Sequence, residues 1–300
     1  MKLKNNGVLL LCLSNLFFGL LPITVKWANQ ADYSAVQVTF FRFAFATAGI
    51  LGLAALGWQK LKVVNTRLLF WRGFFGGATV LCYFLALHWT TVGAATLLNY
   101  TYSIWANVFS VFFLRQKAPK GLVFLLILAG VGVWLVLDAR LNRLNAGDVV
   151  GFFSGVLGGA GVLATKEARR TDNALSVFSS FTFFGLALTI LLLSLGRGIG
   201  IESLTHWSVV DARGAGILCL MGALGMAAQL FYTQGLGHAS LAMGTLLAQL
   251  VPVLAAFFGW ILLGEGLTPH FILGTACVLT ACIVLGLQEN RRRPVEPHLG

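Results

Sequence analysis

Charged side chains are scarce in this sequence. Asp, Glu, Lys and Arg make up only 10% of its 300 residues, whereas an average soluble domain carries about a quarter. A water-soluble fold would have too few charges to cover its surface, so lipid must be the solvent for much of the chain. The composition therefore excludes an ordinary soluble globular protein and predicts an integral membrane protein.

Motifs for covalent, metal or nucleotide chemistry are also missing. The sequence has no phosphate-binding loop, so the chain cannot itself be the ATPase of a primary pump. Its five cysteines lie inside apolar runs without metal-ligand spacing, and their odd number argues against a disulfide framework. We therefore expect no catalytic residue, no metal and no cofactor. A membrane-embedded enzyme is the least favoured alternative.

Long apolar runs are what the sequence has in abundance. Hydrophobic residues reach 58%, and a membrane-spanning helix needs about 20 mostly apolar residues in a row. The first run continues to Val25 without a small-residue cleavage site, so we interpret it as a first membrane helix rather than a signal peptide. The runs predict ten spans, at roughly 7–28, 34–57, 68–89, 93–114, 120–138, 147–166, 174–196, 213–236, 239–263 and 268–287.

The net charge of +11 would indicate nucleic-acid binding in a soluble protein. Here the basic residues fall in short loops, where they set membrane topology. With the N-terminus inside, 15 Lys and Arg residues (Arg72 among them) fall on the cytoplasmic side and 5 outside, leaving Arg42 within helix two. We expect both termini in the cytoplasm of a bacterial-type inner membrane. The expected partners are the lipid bilayer and a small-molecule substrate, with no nucleic acid and no obligate protein partner.

The sequence repeats itself. Thr96-Leu97-Leu98 matches Thr245-Leu246-Leu247 at an offset of 149 residues, and Lys26 matches Lys166 at an offset of 140. Each half then holds five helices, and an odd number places the halves in opposite orientations, a frequent mark of secondary transporters. The predicted fold is all-α, with ten transmembrane helices in two inverted five-helix repeats. The predicted units are residues 1–140 (helices one to five), 141–290 (helices six to ten) and a basic cytoplasmic tail, 291–300.

An ordered set of short motifs runs through both halves. Its members are Phe18-Gly19, Arg42-Phe43, Ala94-Ala95-Thr96-Leu97-Leu98, Gln249-Leu250-Val251-Pro252 and Leu262-Leu263-Gly264-Glu265. In these motifs the chain resembles the drug/metabolite transporter superfamily, specifically its ten-helix exporters with two EamA-type repeats. The resemblance covers nearly the whole chain. It implies a secondary transporter that exports small metabolites by alternating access.

The first repeat departs from this pattern. It has Gln116 where the second keeps Glu265, and Ser103 where the second keeps Pro252. Helix four is rich in polar and aromatic residues and is similar to members that export amino acids, particularly aromatic ones. We therefore predict export of amino acids, including aromatic or large neutral ones, and of related small metabolites. Open alternatives are an exporter of other amphipathic metabolites or drugs, a nucleotide-sugar-type antiporter, and a channel or scaffold.

Polar and aromatic side chains in membrane helices usually point inward, because hydrocarbon offers no hydrogen bonds. Arg42 either binds a substrate carboxylate with its guanidinium fork or bonds carbonyls in a structural role. Lys26 and Lys166 each end the first helix of a half, as gating residues or as interface anchors. The candidate substrate-binding residues are Asn15, Arg42, Tyr83, Asn99, Tyr102, Trp105, Gln229 and Gln249.

Acidic residues avoid the interior of the predicted spans. Asp148, Glu167 and Glu265 all fall at or beside helix ends. We therefore expect gradient-driven transport, or coupling through a group other than a carboxylate, such as His88.

Overall fold

The computed structural model describes residues 2–57, 61, 63–113, 115, 121–138, 145–200 and 206–292. Over these residues the chain forms twelve α-helices and no strand. They are α1 Lys2–Gln30, α2 Ala35–Ala55, α3 Thr66–Trp89, α4 Val92–Tyr100, α5 Tyr102–Phe113, α6 Leu122–Asp138, α7 Ala146–Ala168, α8 Ala174–Ile199, α9 Ala212–His238, α10 Leu241–Ala248, α11 Leu250–Leu263 and α12 Pro269–Arg292.

Eight segments of the described chain are long and apolar enough to cross a membrane, and Leu122–Val136 is a shorter apolar helix. The predicted fourth span is divided into two helices of 9 and 12 residues, α4 and α5. The predicted ninth span is likewise divided into α10 and α11. The chain is therefore a multi-pass helical membrane protein. Most of the predicted basic tail, residues 293–300, lies outside the described residues.

Both interruptions have a local cause. In the second half, Pro252 has no backbone N–H to donate to Ala248, and the helix breaks at Gln249 as a proline kink requires. The first half has Ser103 in place of this proline and still breaks, at Thr101. There the hydroxyl of Thr101 donates to Leu98 O (2.7 Å), so a short polar side chain competes with the helical hydrogen bonds.

Contacts between the two halves follow a reciprocal pattern. Helix α1 packs most extensively against α9, the third long helix of the second half. Helix α7, the first of the second half, packs most extensively against α3, the third of the first half. In each of these two principal contacts, the first helix of one half therefore packs against the third long helix of the other half.

The outer surface is strongly apolar. Phe112 and Phe113 are each 75% exposed, and Phe153 and Trp260 are more than half exposed. Polar side chains such as Thr96 and Gln37 are instead fully buried. Apolar side chains outside and polar side chains inside are the reverse of the distribution in a soluble protein. This arrangement is expected where lipid surrounds the helices.

Candidate functional site

A cavity of about 110 Å³ lies in the interior, with walls from both halves. By this measure it has room for several water molecules, since one requires about 10–15 Å³. Six of the eight candidate substrate-binding residues line it: Asn15, Arg42, Tyr83, Asn99, Tyr102 and Gln229.

The two remaining candidates lie elsewhere. The Trp105 ring packs against Phe152 and Phe109, with centroid distances of 5.9 and 6.2 Å, and does not line this cavity. Gln249 donates from Nε2 to Ser103 Oγ at 2.9 Å and to Thr245 O at 3.0 Å, so it joins the two interrupted helices. The candidates Tyr102 and Trp105, three residues apart in the chain, therefore do not both face the cavity. Side chains three residues apart on an α-helix point in directions about 60° apart. Here this difference directs Tyr102 into the cavity and Trp105 into the contact with a neighbouring helix.

Arg42 combines the two roles that the sequence left open. Its side chain is 1% exposed, and its Nη2 donates to the carbonyl of Gly225 at 2.6 Å. Its Nε and Nη1 have no hydrogen-bond partner among the described residues. A Cβ at position 225 would clash with Nε, so glycine at this position leaves room for the guanidinium where it now lies. Arg42 is thus anchored to α9 and still has donors to offer inside the cavity.

Arg72 is a charged cavity residue that the sequence analysis missed. The charge count placed it with the cytoplasmic loops, but it lies within α3, is only 4% exposed and lines the cavity. Its Cζ stands 4.5 Å from the ring centroid of Phe181, a cation–π distance. Gly76, one turn further along α3, makes room for its head. The available signal was position, since residue 72 falls inside the predicted span 68–89.

The remaining walls carry hydroxyls, amides and aromatic rings. Tyr83 Oη and Thr96 Oγ1 are 2.8 Å apart, and Asn99 Nδ2 donates to Ser154 Oγ at 3.0 Å. Asn15 Nδ2 has no partner among the described residues. Tyr100 and Tyr232, which sequence reasoning did not select as substrate-binding, also line the space. The cavity can therefore accept both a charged or polar group and an apolar body.

Two carboxylates, those of Glu265 and Asp148, accept hydrogen bonds at helix ends and do not line the cavity. Glu265 accepts from the backbone N–H groups of Val92 (2.8 Å) and Gly93 (3.3 Å), at the N-terminus of α4. Asp148 accepts from Thr90 Oγ1 at 2.9 Å and belongs to a capping box with Asn145. Both positions suit an anion, because a helix N-terminus is electropositive.

Lys26 and Lys166 occupy matching positions. Lys26 Nζ donates to the carbonyls of Leu87 and Thr90, both at 2.8 Å, at the C-terminal end of α3. Lys166 Nζ donates to the carbonyls of Leu236 (3.0 Å) and Ala239 (2.7 Å), at the C-terminal end of α9. A cation at a helix C-terminus is stabilising. Each lysine ties the first helix of its half to the third, a geometry that favours an anchor.

Comparison with known proteins agrees with this architecture. The EamA-like transporter family model matches two consecutive stretches, residues 5–138 and 145–287. The chain is 25% identical over 288 residues to the pseudopaline exporter CntI of Pseudomonas aeruginosa, in strains PAO1 and UCBPP-PA14, covering 95% of this chain and 97% of each relative. A crystal structure shares the fold with a TM-score of 0.64 at 18% identity, over 97% of this chain and 99% of the other. The chain is a transporter and belongs to the EamA-like transporter family.

Proposed function

We propose that this chain is a secondary exporter of amino acids and related small metabolites that carry a carboxylate. The observation that carries the proposal is Arg42, a fully buried cation with unused donors in a cavity lined by amides and tyrosines. Its guanidinium would bind the substrate carboxylate, while Asn15 and Gln229 offer oxygens to the ammonium. Tyr100, Tyr102 and Tyr232 would contact an apolar side chain, including that of an aromatic or large neutral amino acid.

The transport cycle we propose is alternating access between two inverted five-helix repeats, with ten spans and both termini in the cytoplasm of an inner membrane. The reciprocal packing of α1 on α9 and of α7 on α3 supports this, because a pseudo-twofold axis would exchange the two pairs. The family matches begin at residues 5 and 145 and end at 138 and 287, offsets of 140 and 149 that equal those read from the repeat. Counting α4–α5 and α10–α11 as one span each gives ten.

A second candidate substrate is pseudopaline or a similar molecule. The observation that favours it is the similarity to pseudopaline exporters over 95% of this chain. Other amphipathic metabolites, drugs and nucleotide-sugar exchange remain the further alternatives.

A liposome assay with the purified protein tests the proposal. Vesicles loaded with one unlabelled amino acid are given the labelled form outside, and counterflow is compared across amino acids, nucleosides and quaternary amines. We expect counterflow with amino acids, and expect it to fall by about tenfold in Arg42→Gln, the loss of one charged hydrogen bond. Counterflow with nucleosides or quaternary amines alone would contradict the proposal.

A further inference from the structure

Two guanidinium groups share the cavity, and different walls hold them. Arg42 comes from α2 and is bonded to Gly225 on α9, in the second half. Arg72 comes from α3 and lies over the ring of Phe181 on α8. Because each head is held by its own partner, the cavity offers two separate cationic positions.

Among the residues that the structure describes, no anion balances these two charges inside the cavity. None of its lining residues is Asp or Glu, and the ion pairs of the described chain, Arg170–Glu167 and His206–Asp32, involve neither arginine. A buried charge without a counter-ion is strongly disfavoured, and a well-placed anion that also accepts its hydrogen bonds offsets part of that penalty. A substrate with a single carboxylate would neutralise one arginine and leave the other uncompensated.

We propose, resting on the proposed function and narrowing its substrate class, that the cavity selects metabolites with two anionic groups. One group, the α-carboxylate of an amino acid, binds Arg42, and a second carboxylate or phosphate binds Arg72. Both groups match the planar fork of arginine. Acidic amino acids and their derivatives are then preferred over neutral ones of the same size.

The internal repeat supports a ligand role for both arginines. At the offsets of 140 and 149, the positions that match Arg42 and Arg72 hold Thr182 and Met221. The second copy therefore folds with a small hydroxyl and a thioether where the first has cations. If the scaffold needed these charges for packing alone, both copies would be expected to carry them. Both buried cations come instead from one half and meet in one cavity.

A glycine lies beside the guanidinium group of each arginine. A Cβ added at Gly76 would clash with Arg72 Nη1, and a Cβ added at Gly225 would clash with Arg42 Nε. A side chain at either glycine position would force the neighbouring guanidinium group to move from its present place. The glycines therefore keep both guanidinium groups within reach of the cavity.

The test compares substrates with and without a second anionic group in liposomes holding the full-length protein. The pairs are L-glutamate with L-glutamine, and L-phosphoserine with L-serine, which also distinguishes a carboxylate from a phosphate as the second group. We expect the wild-type protein to prefer at least one charged member by about tenfold. We expect Arg72→Gln to remove that preference by slowing the charged substrate about tenfold more than its neutral counterpart, and Arg72→Lys to restore part of it.

Arg67→Gln is the matched control, because Arg67 is an exposed residue on the same helix and lies outside the cavity. It removes the same charge and should leave the preference unchanged. If Arg72→Gln fails to fold, thermal stabilisation of the wild-type protein by glutamate over glutamine gives an independent reading of the same selectivity.

The outcomes separate this inference from the proposed function. Transport of glutamine and other neutral amino acids without preference for glutamate or phosphoserine would overturn the two-anion site and leave amino-acid export standing. An Arg72→Gln variant that slows charged and neutral substrates equally would also overturn it. No transport of any amino acid by the folded wild-type protein would overturn both.

Discussion

Arg42 and Gly225 join the two halves of the transporter at its cavity. The Nη2 of Arg42 donates to Gly225 O at 2.6 Å, which links α2 of the first half to α9 of the second. The bond holds the guanidinium in place and leaves Nε and Nη1 unpaired among the described residues. The position of this cation therefore depends on a residue in the other repeat.

Replacing Gly225 by alanine should displace Arg42, because the added Cβ would clash with its Nε. We expect transport to fall by about tenfold while the protein still inserts in the membrane, as alanine is the better helix former by about 1 kcal/mol. Counterflow and membrane expression measure the two effects. Gly216→Ala is the control, since a Cβ at that position on the same helix meets nothing within 4 Å. Wild-type transport by Gly225→Ala would show that the placement of Arg42 is unimportant.

Trp105→Ala should affect all substrates alike. The ring packs on Phe152 and Phe109 and not on the cavity, so its loss weakens the contact of α5 with α7. We expect a lower Tm of the purified protein and an unchanged ratio of aromatic to small amino-acid transport. Trp260→Ala, at a residue 53% exposed on the outer surface, should change neither. If Trp105→Ala selectively lost transport of aromatic substrates, Trp105 would have to contact the substrate.

Lys26 and Lys166 should behave as equivalent anchors. Each donates to two carbonyls at the end of the third long helix of its own half. We expect Lys26→Met and Lys166→Met to lower Tm by similar amounts, and the two losses to add in the double variant because the lysines share none of these carbonyl acceptors. If they gated the cavity, each substitution would instead change the labelling of a cysteine introduced into the cavity wall, and from one side of the membrane only. That second pattern, with Tm unchanged, would contradict the anchor role.

Membrane topology can be measured with reporter fusions. Ten spans with a cytoplasmic N-terminus place a fusion after Arg293 inside, and a fusion within residues 203–208 outside. The 15 to 5 distribution of Lys and Arg motivates this expectation. Fusions that report the same side would show that the number of spans or the orientation is wrong.

Transport should not require an imposed proton gradient. The cavity contains no carboxylate among its lining residues, and Asp148 and Glu265 accept hydrogen bonds at helix ends. We expect counterflow in liposomes to proceed with equal pH on both sides. Transport that strictly requires a proton gradient, and that loses this requirement in Asp148→Asn or Glu265→Gln, would contradict this expectation. Loss of transport in both variants together with a lowered Tm would instead reflect the loss of their capping hydrogen bonds.

A pH effect on stability is expected outside the membrane, at the N-terminus of α9. Hydrogen bonds from Gly214 N–H and Tyr33 Oη lower the pKa of Asp211 below its usual 3.8. Because the folded pKa is depressed, this contribution is present above the unfolded pKa and is lost as the pH falls through the lower folded value. Acid titration of Tm should show a smaller fall in Asp211→Asn, which keeps a cap without the charge.

The amino-acid sequence by itself determined that this is a helical membrane protein with two repeats. Composition forces lipid contact because so few charges are present, and apolar run length locates most helices within a few residues. Arg42 could be selected in the same way, because a cation in the middle of an apolar run needs a partner or a polar cavity.

Only the tertiary structure decided which faces of those helices meet at the cavity. Lipid and helix interior are equally apolar, so hydrophobic periodicity does not distinguish a lipid-facing from a cavity-facing side chain. Tyr102 and Trp105 look equivalent in the sequence, yet one lines the cavity and the other packs on Phe152. The charge count grouped Arg72 with the cytoplasmic loops, whereas the structure places it in the cavity, where Gly76 and Phe181 leave room for its guanidinium group.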